Sequence, residues 1–260
     1  MILDSIFENR AKQLQGLKDT LPMSEIEKRA ERYADNHKTI DFAAALKNGP
    51  LSVIAEVKKA SPSKGLICAD FDPVRIAREY ESGGAAAVSV LTEETYFQGS
   101  SAYLEAIRKE ISLPILRKDF IFDEWQICES RLIGADAILL IAAMLSEERL
   151  KSLLSYTHGL GLEALVEAHC EREIEAAANA GAKVIGVNNR NLYDFSVDTD
   201  CAVRLSALLP KDAVFVAESG IKSRGDALKM RRAGADAILV GEALMTAKDI
   251  KAALCELMVE

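Results

Sequence analysis

The chain has 260 residues, with 32 Lys and Arg against 40 Asp and Glu, a formal net charge of −8, and 49% hydrophobic residues. That apolar fraction supplies a core and excludes disorder as the main state. The acidic balance argues against nucleic acid as a partner, and no apolar run is long enough to span a membrane.

Residues 1–48 carry helical patterns near 2–18, 22–34 and 39–47, punctuated by Pro22 and by Gly49-Pro50. Their acidic, amphipathic opening lacks the basic start and unbroken apolar stretch of a signal peptide. So short a segment is marginal as an independent core, so it reads as a helical extension packed on the domain that follows. The first strand candidate is LSVIAEVK (51–58), followed by the loop SPSKG (61–65). Asp72 and Pro73 then offer a cap and a first-turn proline for VRIAREYESGG.

A glycine-led phrase recurs at intervals of about fifty residues: GGAAAVSVL from Gly83, GADAILLI from Gly134, GAKVIGVN from Gly181 and GADAILVG from Gly234. Glycine between a helix and a strand is a stop signal, because it tolerates a left-handed backbone. Three further strand candidates interleave: LPILRKD (113–119), GLEALVE (161–167) and DAVFVAESG (212–220). YFQGS (96–100) looks like a protease-tag scar but sits between a strand and a helix, so it belongs to the fold. Asp123, Ser146 and Ser223 are cap candidates for three more helices.

Strands alternating with helices imply parallel pairing through helical crossovers. Eight such units fit a (β/α)8 barrel over residues 49–260, with 1–48 as its helical extension. A doubly wound sheet would show GxGxxG after the first strand, and the sequence has none. The five cysteines are widely spaced without a CxxC pair and read as reduced thiols of a cytoplasmic protein. Three histidines (His37, His158, His169) are too few for a His-rich metal site.

Buried parallel strands should be apolar, yet these end in polar groups: Glu56 and Lys58, Lys118, Glu167, Asn188 and then Arg190, Glu218 and Ser219. Each has a bland explanation: a structural ion pair for Glu56 or Lys58, a solvated loop charge for Lys118, a turn for Asn188, a helix cap for Ser219. Glu167 beside His169 suggests a metal only weakly, without further ligands. Jointly they are harder to dismiss, because polar groups at strand C-termini form the active site of such barrels. Gly220 and Gly241, with Glu242 following, place backbone N–H groups in the loops after strands seven and eight, where phosphate often binds.

The segments IAEVKKASPSKG, VSVLTEETYFQGS, LPILRKDFIFDEWQI, ALVEAH, IGVNNRNL, VAESGI and GADAILVGEALM, in this order, resemble the indole-3-glycerol phosphate synthase family of tryptophan biosynthesis. The resemblance implies a lyase that closes the indole ring of carboxyphenylamino-deoxyribulose phosphate with loss of CO2 and water, and that uses no metal or organic cofactor. It implies Lys118 as general acid, Glu167 as base in the dehydration, and Lys58 as the second lysine, on the substrate carboxylate. Glu56 would orient the lysines. Asn188, Arg190, Glu218 and Ser219 would line the mouth, and Ser61 would contact the ligand. Phosphate would meet N–H groups near Gly220, Gly241 and Glu242, whose carboxylate must then point away. Which lysine serves which step stays open.

The resemblance implies a small phosphorylated substrate, neither nucleic acid nor membrane as partner, and other tryptophan-pathway enzymes as candidate partners. With Lys58, Lys118 and Arg190 facing Glu56, Glu167 and Glu218, the empty site is expected near neutrality. The rival readings are a phosphosugar isomerase on the same barrel and a barrel retained as a binding scaffold.

Overall fold

The computed structural model describes residues 2–191 and 195–259. Eight parallel strands form a closed barrel: β1 (Ser52–Val57), β2 (Ala87–Leu91), β3 (Ile115–Lys118), β4 (Ala137–Ile141), β5 (Glu163–Ala168), β6 (Val184–Asn188), β7 (Val214–Glu218) and β8 (Ala237–Val240). Consecutive strands pair, and β8 closes on β1 with Leu239 opposite Ile54. Each predicted strand segment overlaps one of them, β5 running one residue past its segment to Ala168, so the (β/α)8 barrel stands.

The two-residue period of the strands divides the core. Inward residues such as Ile54, Leu116, Leu139, Leu165, Val184 and Val216 fill the barrel. Their neighbours Val53, Ile115, Ile138, Val166, Ile185 and Phe215 pack outward among the helices. Those helices are α1 (Ile2–Thr20), α2 (Met23–Asn36), α3 (Phe42–Leu46), α4 (Pro73–Ser82), α5 (Ser101–Arg108), α6 (Glu124–Leu132), α7 (Glu147–Gly159), α8 (Glu171–Ala180), α9 (Cys201–Leu205), α10 (Arg224–Arg232), α11 (Glu242–Met245) and α12 (Ile250–Leu257).

Local signals start and stop these helices as expected. Asp72 accepts from the N–H groups of Val74 and Arg75, Asp123 from Trp125, and Ser146 from Arg149, while Ser223 and Asp226 make a reciprocal capping box. Gly134 and Gly234, both at φ 91°, turn the chain from α6 into β4 and from α10 into β8. The aspartates two residues later have their own task. Asp136 accepts from Ile115 N–H and Asp236 from Phe215 N–H, each at 2.8 Å, tying one strand start to the next.

The first helices are built into the two ends of the barrel. Phe42 and Leu46 of α3 join the interior cluster, and Ala43 N–H donates to Glu163 at the start of β5, so α3 plugs the N-terminal end. Leu3 and Ile6 of α1 join the same cluster and also line the opposite mouth. A buried ion pair between Arg10 and Asp119 (2.7 Å) pins α1 just beyond β3. No described helix is long and apolar enough to cross a membrane.

Candidate active site

The C-terminal mouth of the barrel holds a cavity of about 670 Å³, and all twelve residues singled out from the sequence line it. Glu56, Lys118, Glu167, Asn188 and Glu218 are strand residues at that end, so the barrel backbone fixes their origins. Lys58, Arg190, Ser219, Gly220 and Gly241 sit in the connections just beyond, Ser61 in a short hairpin that pairs Ala60–Ser61 with Gly65–Leu66, and Glu242 opens α11.

Lys118 is the hub. Its ammonium nitrogen lies 2.9 Å from Glu167 Oε2 and 3.2 Å from Glu218 Oε2, so it is not a solvated loop charge. Lys58 forms a separate ion pair with Glu56. Arg190 donates to the Phe195 carbonyl at 3.2 Å, and its own N–H is accepted by Asn188 Oδ1 at 3.0 Å. Ser219 adopts φ 64°, a left-handed backbone that costs a non-glycine residue energy, and Asn189 Nδ2 holds its carbonyl at 3.1 Å. It is therefore not the cap of α10, which is Ser223. The Glu242 carboxylate turns toward Lys64 (3.5 Å) and Lys222 (4.0 Å).

Burial and charge divide the protons among these groups. Burial pulls the Lys118 ammonium down, but Glu167, Glu218 and Glu56 outweigh it and hold it well above its ordinary range. Burial pushes the Glu167 carboxyl up, and Lys118 and His169 outweigh that, holding it far below the carboxylate range. Glu218 has the same ammonium but also faces ionised Glu167; burial and that repulsion push it up to about 8. One carboxylate and one carboxylic acid thus flank one ammonium at neutral pH. With the Glu218 carboxyl pushed up, the expected near-neutral balance shifts toward the positive side, which suits an anionic ligand.

A family model described as indole-3-glycerol phosphate synthase matches residues 3–257. The chain belongs to that family. It is 46% identical over 257 residues to the indole-3-glycerol phosphate synthase of Ruminiclostridium cellulolyticum, covering 99% of this chain and 98% of the relative. The corresponding enzyme of Acetivibrio thermocellus is 49% identical over 251 residues, 96% of each chain. Among solved structures, 3-hexulose-6-phosphate synthase from Salmonella typhimurium superposes with TM-score 0.65 at 14% identity, covering 80% of this chain and 96% of that one, a likeness of fold alone. Membership of the indole-3-glycerol phosphate synthase family makes the chain an enzyme of the carboxy-lyase class.

Several residues around this family site carried no functional signal in the sequence. Leu3, Ile6, Phe97 and Phe120 form an apolar wall, with the two phenyl rings 6.1 Å apart. Such residues near strand ends look like ordinary core. Glu93 is buried, and its carboxylate accepts the N–H groups of Thr95 (3.0 Å), Tyr96 (2.7 Å) and Phe97 (3.0 Å), which fixes the loop carrying Phe97. Gly186 and Gly241 leave space: a Cβ at the first would collide with Glu218 Oε1, and at the second with Glu56 Oε1. Leu192 of the IGVNNRNL segment lies outside the described residues. Among the described residues, no group of three or more His, Cys, Asp or Glu side chains is arranged to hold a metal ion.

Proposed function

We propose that the mouth converts 1-(2-carboxyphenylamino)-1-deoxyribulose 5-phosphate to indole-3-glycerol phosphate, CO2 and water. Lys118 protonates the substrate carbonyl while the ring carbon bearing the carboxylate attacks it. Loss of CO2 restores the aromatic ring. Glu167 then removes a proton from the methylene carbon beside nitrogen as the hydroxyl leaves. The departing oxygen takes two protons and the methylene gives one, so one proton enters per turnover. The second proton on oxygen comes from one of the two ammonium groups.

Lys58 pairs with the substrate carboxylate and Glu56 holds it there. Phe97, Phe120, Leu3 and Ile6 take the aryl ring. Asn188, Arg190, Glu218 and Ser219 shape the polar side of the cavity. Ser61 and the backbone N–H groups near Gly220, Gly241 and Glu242 receive the phosphate, and the Glu242 side chain turns aside toward Lys64 and Lys222. Reduced thiols and the biosynthetic role support a cytoplasmic location, with other tryptophan-pathway enzymes as candidate partners.

The observation that carries this reading is a buried lysine Nζ set between two buried carboxyl groups, in a cavity with a phenyl-lined wall. Incubation with the synthetic substrate should produce indole absorbance and fluorescence, and Lys118→Ala should lower kcat by roughly 100-fold or more. Absence of indole product from the unaltered enzyme, or normal turnover in K118A, refutes it.

A further inference from the structure

Glu167 is held from two sides. Lys118 donates a hydrogen bond to its Oε2 at 2.9 Å, and the buried His169 Nε2, which has no hydrogen-bond partner among the described residues, lies at ion-pair distance from its Oε1, 3.4 Å. The other ring nitrogen of His169 lies 3.2 Å from Glu173 Oε2, which also accepts the His169 backbone N–H at 2.6 Å. Glu173 sits in the first turn of α8, where Cys170 provides no side-chain cap. The ring closure described above uses neither His169 nor Glu173. Yet the imidazole is largely buried beside the carboxylate assigned as base.

We propose that His169, anchored by Glu173, is a positioning residue that keeps Glu167 oriented and ionised through the dehydration step. This inference rests on the ring-closing reading of the site. When Lys118 gives its proton to the substrate carbonyl, the only other cation in contact with Glu167 among the described residues is His169. A fully buried carboxylate that loses its counter-charge takes up a proton and ceases to be a base. An imidazolium on the far oxygen prevents that, and leaves Oε2 to the substrate side. The same geometry favours the charged ring: burial pulls it down, but Glu167 and Glu173 outweigh burial and raise it to about 10. The other titratable groups near it are Lys118 beyond Glu167, Cys170 next in the chain, and Cys201 of α9, whose thiol donates to the His169 carbonyl at 3.8 Å.

The test compares H169A, H169Q and E173Q with the unaltered enzyme, by steady-state kinetics across pH and by 15N NMR of the His169 ring without substrate. H169A should lose about tenfold or more in kcat with KM little changed, and the acid limb of kcat should move to higher pH. H169Q keeps a donor but no charge, so it should recover part of kcat without restoring the limb. In the unaltered enzyme the ring should stay doubly protonated past neutrality, and E173Q should lower that range. A folded H169A with unaltered kcat and acid limb, or a ring neutral at pH 7, overturns the proposal. If H169A fails to fold, H169Q and the NMR titration decide. Failure of the ring-closing reading is distinct, because the unaltered enzyme would then yield no indole.

Discussion

At Gly186 the absence of a side chain has a chemical consequence. The residue lies on β6 opposite Val216 of β7, two positions before Asn188 and Glu218, and faces into the barrel. A methyl group there would run into Glu218 Oε1 and come within 3.1 Å of Leu165 Cδ1. That oxygen belongs to a buried carboxyl whose other oxygen lies 3.2 Å from the Lys118 ammonium, so displacing it pulls on that contact. Gly186→Ala should therefore destabilise the fold by about 1–3 kcal/mol and disturb the Glu218–Lys118 contact. The cause is separable by a double-mutant cycle. In a Glu218→Ala background the added methyl gains room, and G186A should cost much less. Denaturant unfolding of the four proteins measures this, and strictly additive costs would show that the clash is not with Glu218.

At the scale of elements, β3 is the strand on which the site depends most. Lys118 points into the mouth, while Arg117, on the opposite face, is fully buried toward α6. The guanidinium meets Asp119 at 3.1 Å, Glu129 at 2.6 Å, Ser130 at 3.0 Å and Thr92 at 3.0 Å, and Asp119 also binds Arg10 of α1. Removing one member leaves buried charge uncompensated, so Asp119→Ala should cost about 3–5 kcal/mol in chemical denaturation. It should also loosen α1 over the mouth. Within RKD the sequence made Lys118 legible as functional but said nothing of Arg117 and Asp119, because alternation assigns faces and not partners. The strands, the caps at Asp72, Asp123, Ser146 and Ser223, and the polar strand ends were legible because each is a local signal. Phe97, Phe120 and the His169–Glu173 contact were not, since apolar and charged side chains at helix and strand ends look alike until the chain is closed into a barrel.

For the whole molecule, gathering these groups into one mouth makes stability depend on pH. Glu218 is raised from an ordinary 4.5 to about 8, and His169 from 6.5 to about 10. Between each pair of values the folded chain holds a proton that the unfolded chain has released. The free energy of unfolding must then fall as pH rises through both windows. For Glu218 this is a growing cost of keeping a buried carboxyl that the unfolded chain would ionise. For His169 it is a stabilising contribution, complete below its ordinary value and lost as pH passes about 10. Glu167 and Asp119 are shifted the other way, so their contribution is present above the ordinary carboxylate range and lost in acid. Denaturant unfolding should accordingly give a lower stability at about pH 9 than at about pH 6. Glu218→Gln keeps the shape of the neutral carboxyl and cannot ionise. Its advantage over the unaltered chain should grow across that interval by a few kcal/mol, while the His169 share of the slope remains. An E218Q protein whose stability follows pH just as the unaltered chain does would mean that Glu218 is already ionised at neutral pH, and the division of protons around Lys118 would have to be reassigned.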